Sequence, residues 1–63
     1  MSLISDIIDH SVLIEYMLGA DNYTWLHYHN GRKQLISKPL RYFEQQLPNF
    51  VRVHKTALIN PHY

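Results

Sequence analysis

The sequence predicts a mainly β fold, antiparallel strands with one short α-helix at about residues 39–47, and three features predict it. β-branched and aromatic residues gather in short segments separated by turn residues. Asn30-Gly31, a strong short-range hairpin signal, lies between two of those segments. Leu40, Phe43 and Leu47 recur at helical spacing behind Ser37-Lys38-Pro39.

Taken in order, residues 1–10 form a lead-in or linker in which Leu3, Ile4, Ile7 and Ile8 would make one face of a short helix. From Ser11 to Leu18, Val12, Ile14, Tyr16 and Leu18 occupy alternate positions, the period of a strand. Leu13 and Met17 between them are also apolar, so both faces of that strand are candidates for cover. Gly19-Ala20-Asp21-Asn22 has turn chemistry, because Gly and Asn accept left-handed backbone angles. Tyr23–His29 and Arg32–Ile36 then make an antiparallel pair around Asn30-Gly31. Ser37 can cap a helix, and Pro39 in the first turn has no amide hydrogen to leave unpaired. Pro48-Asn49 ends the helix. Phe50–Val53 and Thr56–Asn60 are two further strands, broken near His54-Lys55, with Phe50, Val51, Val53, Leu58 and Ile59 read as core.

Composition narrows the function. The 63 residues allow one small domain, and the absence of cysteine excludes disulfide frameworks and Cys-based zinc ribbons. No apolar run approaches the roughly 18 residues of a membrane helix, and Leu3–Ile8 is too short and too acidic for a signal peptide. Net charge is only +1, but it is unevenly distributed. Residues 1–31 carry four acids and no Lys or Arg, whereas residues 32–63 carry all six cations against Glu44 alone. A basic half of this kind is a candidate contact for a polyanion.

Other chemistries find little support. His27 and His29 are two apart on an expected strand, but zinc needs at least one more ligand and none stands at a familiar spacing, so no metal site is expected. Ser2, Ser5, Ser11 and Ser37 lie in no nucleophile-elbow context. Gly19 and Gly31 are too few for a phosphate-cradling loop. No acid is marked by its context for acid–base work. Neither catalysis nor a cofactor is expected.

Four stretches resemble the LytTR family of DNA-binding domains, and they come in that family's order. They are Ile14-Glu15-Tyr16 with Asp21-Asn22-Tyr23-Thr24, then His27 to Lys33, then Ser37-Lys38 leading into Leu40 and Phe43. The last and most specific is Phe50-Val51-Arg52-Val53-His54-Lys55-Thr56 with Leu58-Ile59-Asn60. The resemblance implies that residues 11–63 are a partial LytTR-like domain, the output module of a cytoplasmic bacterial response regulator of a two-component system. Such domains read promoter direct repeats in double-stranded DNA through loops. It implies base reading by Tyr23, with Asn22 beside it, and by Lys55, whose ammonium can donate to guanine O6 and N7. Lys38 and Thr56 fall where backbone contacts are expected, and Arg52 is a further charge contact. His54 and Asn60 are expected to hold the loop to the sheet.

Ordinary roles stand beside these: Tyr23 packing on the sheet, Lys55 as a solvated charge, and Arg32, Lys33 and Arg41 as plain surface cations. The sequence departs from the family at Leu18, where an acid is usual. Family members also continue into further strands and a third, basic reading residue, which implies a chain truncated at its C-terminus. Missing strands would leave bare sheet edges, and self-association through them is expected. A non-catalytic interaction or oligomerisation module is the alternative function.

Overall fold

The computed structural model describes residues 3–63, and Met1 and Ser2 lie outside the described residues. Helix α1 (Leu3–Asp9) and a 3-10 turn (Ser11–Leu13) precede three strands, β1 (Ile14–Ala20), β2 (Tyr23–Tyr28) and β3 (Lys33–Ile36). Helix α2 (Leu40–Gln46) leads to β4 (Val51–His54) and β5 (Ala57–Ile59). The five strands form one antiparallel sheet in the order β3-β2-β1-β5-β4. The fold is mainly β, as the segment composition predicts, with α1 a second helix beside the one expected at 39–47.

The first three strands form a meander. Asp21, at φ 56, makes the two-residue turn between β1 and β2, a conformation its short polar side chain tolerates. Gly31, at φ 88, closes the next turn, where the Asn30 side-chain oxygen accepts from the Arg32 amide at 3.0 Å. Helix α2 then crosses the sheet over β1 and β5, so the chain reaches the opposite edge and returns through the β4–β5 hairpin beside β1.

One face of the sheet is packed. Ile14, Met17, Leu26, Ile36 and Leu58 meet Leu40, Phe43 and Leu47 of the α2 region, and Ile7 of α1 joins them. Leu40, Phe43 and Leu47 are buried as their helical spacing predicts. Pro39 stands at the N-cap rather than in the first turn, and no side chain caps the helix, so Ser37 does not take that role. The helix ends where Leu47, restricted by the proline after it, leaves helical angles.

Two expectations about strands are corrected. Val12 and Leu13 belong to the 3-10 turn and are exposed, so β1 begins only at Ile14 and runs through Gly19 and Ala20, leaving Asp21-Asn22 as the turn. Within β1 the pairing slips between Ile14 and Tyr16, which makes Glu15 a bulged residue. A bulge reverses side-chain alternation, so Ile14 and Met17 share the packed face while Tyr16 and Leu18 turn away from it. Val51 and Val53, read as core, are 46% and 55% exposed. β4 is an edge strand, a second irregularity falls between Arg52 and His54, and Val51 pairs with Ile59 on the face away from α2. That open face also carries Tyr16 stacked on His27, with ring centroids 4.3 Å apart, and Lys33 over Trp25 at 5.3 Å.

Candidate nucleic-acid interface

The sheet order decides which loops become neighbours. Because β5 lies beside β1, the β4–β5 turn meets the end of β1, where the Gly19 amide donates to the Thr56 carbonyl at 2.8 Å. The β1–β2 turn is at the same end, and α2 begins there. Buried Thr24 donates its hydroxyl to the Lys38 carbonyl at 2.7 Å and so ties β2 to the segment entering the helix. Gly19 leaves just enough room for this approach, since a Cβ there would stand 3.0 Å from that of Leu40.

These three segments enclose a recess of about 320 Å³ lined by Asn22, Arg41, Arg52, Lys55 and Thr56, with one acid, Asp21, and with Gly19 and Leu40 among its walls. Four of the residues singled out in the sequence, Asn22, Arg52, Lys55 and Thr56, are therefore brought together. Two are not. Tyr23 alternates with buried Thr24 and points to the open face, where it is exposed. The Lys38 ammonium lies 5.1 Å over the Tyr42 ring, outside the recess lining. The helix behind Lys38 has only seven residues, so its amide dipoles add little there.

The β4–β5 turn is held from within. The Thr56 amide donates to His54 Nδ1 at 3.3 Å, and the Thr56 hydroxyl lies 3.0 Å from the same nitrogen. A ring nitrogen that accepts in this way carries no proton, so the neutral His54 is protonated on Nε2. Arg52 closes the turn from the other side. Its Nε donates to the His54 carbonyl at 3.0 Å, its Nη2 to the Lys55 carbonyl, and its Nη1 to Glu44 of α2 at 2.6 Å. The Lys55 and Arg41 side chains have no partner among the described residues, so their charges are free for a ligand. Asn60 is buried at the other end of β1 and donates to the Ile14 carbonyl at 3.0 Å.

Arg41 is the lining residue that sequence reading set aside as a plain surface charge. The burial of Leu40 and Phe43 implies that Arg41 faces outward; which loops it faces depends on where α2 crosses the sheet. A larger cleft of about 580 Å³ lies at the other end of β1, between Val12, Phe50 and His62, and no Lys or Arg lines it. A third hollow of about 440 Å³ at the β2–β3 turn is lined by Arg32 and Lys33, so charge sets aside only the larger cleft, and the gathering of Asn22, Arg52, Lys55 and Thr56 distinguishes the recess.

No significant match to a curated protein or to a solved structure accompanies the chain. A family model, the LytTr DNA-binding domain, matches residues 12–63 and so includes all three segments around the recess. The chain belongs to the LytTR family of DNA-binding domains.

Proposed function

We propose that this domain binds double-stranded DNA sequence-specifically through the recess end of the sheet, as the output module of a bacterial two-component transcription regulator acting in the cytoplasm. The observation that carries the reading is the convergence of two turns and the start of α2 on one recess, where Lys55 and Arg41 present unpaired charges. Lys55 and Asn22 are the base-edge readers, since both side chains sit on tight turns able to enter a groove. Arg41, Thr56 and Lys38 fit backbone contacts, and Tyr23 borders the same end from the open face. Promoter direct repeats are the arrangement of sites that the family relationship suggests. In this reading residues 1–10 lead into a domain formed by residues 11–63.

The test is an anisotropy titration of the whole chain against a duplex enriched by the wild-type protein from a randomised library, beside a shuffled duplex, at several salt concentrations. Lys55→Ala is expected to cost about 1–3 kcal/mol on the enriched duplex and to relax one base position. Equal affinity of the wild type for both duplexes would refute specific reading.

A second reading, self-association, is favoured by the unpaired outer edges of β3 and β4 and by exposed Val51, Val53, Leu18 and Leu35 on the open face. Light scattering across a range of concentrations tests it, and a constant monomer mass would remove it.

A further inference from the structure

Arg52 was expected to be a charge contact for DNA, yet its surroundings give it different work. Three of its five N–H groups are spent inside the protein, on the carbonyls of His54 and Lys55 and on the Glu44 carboxylate. The charge itself is balanced, because Glu44 Oε1 stands 2.6 Å from Nη1. A phosphate approaching this guanidinium would meet that carboxylate as well. Counterion release scales with the net positive charge offered to the phosphates, and a neutralised pair offers almost none. The carbonyls that Arg52 holds belong to the residue before Lys55 and to Lys55 itself, so the fork fixes the backbone from which the Lys55 side chain projects. Glu44 anchors that fork to α2, whose Phe43 is fully buried in the core.

We infer that Arg52 is a positioning residue: tethered by Glu44, it fixes the His54–Thr56 turn so that Lys55 is presented in one direction, and it makes no phosphate contact of its own. The inference rests on the DNA-reading role proposed above and adds to it a device for base discrimination. A flexible turn carrying Lys55 would still attract DNA, because the charge would remain. It would lose the geometry by which one base is preferred over another.

Two variants separate this role from a phosphate contact. Arg52→Lys keeps the charge and removes the planar fork. Glu44→Ala frees the fork from its anchor without touching the turn. Each is titrated as the full chain against the enriched and shuffled duplexes across a salt series, and NMR order parameters of the Lys55 and Thr56 amides are measured in the free protein. Both variants are expected to lower the enriched-to-shuffled affinity ratio by about five- to tenfold, with the turn amides less ordered. The salt slope of Arg52→Lys stays at the wild-type value. Glu44→Ala binds the shuffled duplex more tightly than the wild type, because one negative charge has gone.

A wild-type ratio and wild-type order parameters in Arg52→Lys would overturn the inference. So would a slope shallower by about 0.9 in the double variant Arg52→Gln/Glu44→Gln, which removes the neutral pair as a whole and so reports a lost phosphate contact rather than an exposed carboxylate. Circular dichroism establishes that each variant is folded, and if Arg52→Lys is not, the ratio and order in Glu44→Ala decide. Should the wild type fail to distinguish the duplexes, the DNA-reading role falls. The order parameters still judge the clamp, with unchanged order overturning it.

Discussion

Replacing Thr24 by valine isolates the hydrogen bond that joins β2 to the entrance of α2. Thr24 is fully buried, and its hydroxyl donates to the Lys38 carbonyl at 2.7 Å. Valine fills nearly the same space, so no cavity opens, but a methyl group then faces a carbonyl that has lost its partner. Stranding the acceptor of this part-buried bond costs about 1–3 kcal/mol, and the added methyl returns about 0.8 kcal/mol of burial. The net loss, about 0.2–2 kcal/mol, is at its upper end a large share of the roughly 3–9 kcal/mol that a chain of this size commands. Urea unfolding followed by circular dichroism measures it, with a midpoint lower by up to about 2 M at an m-value near 1 kcal/mol/M. A Thr24→Val midpoint at or above that of the wild type, with m unchanged, would refute the assignment of that bond as a structural tie.

Other perturbations test the remaining parts of the account. Phe43→Ala removes the largest fully buried side chain and is expected to cost about 3–5 kcal/mol, read as a collapse of the thermal transition. Gly31→Ala places a Cβ at φ 88 where no atom lies within 4 Å, so backbone strain alone acts and the loss should be about 1 kcal/mol in the same unfolding assay. Burial raises the Tyr28 phenol above its usual 10.0, so the folded state favours the neutral ring. Its contribution is fully present below pH 10.0 and is lost as pH rises from there through the folded value. Unfolding measured across that range should lose stability less steeply in Tyr28→Phe, which also gives up the bond to Gln34 at 3.0 Å.

Local chemistry carried much of the architecture. Asn30-Gly31 placed a turn, Leu40, Phe43 and Leu47 placed the buried face of α2, and the break at His54-Lys55 placed the turn that bears Lys55. Each of these depends on residues within a few positions of one another, where backbone preference and side-chain period act directly. The motif residues Asn22, Arg52, Lys55 and Thr56 were legible for the same reason, as members of two short stretches in family order.

What the sequence by itself determined about this protein is therefore where strands, turns and helix fall and which family it belongs to. Tertiary structure decided which face is covered and which charges are free. The bulge at Glu15 turned alternation around, so that Met17 rather than Tyr16 joined Ile14 in the core. The edge position of β4 left Val51 and Val53 in solvent, because an apolar side chain is buried only if another element lies over it. Most consequential for the interface, the crossing of α2 set Glu44 against Arg52 and left Arg41 beside Lys55. A charged side chain has no local code for its partner. Its role follows from the counter-charge within reach, and here the fold placed that counter-charge on a different element.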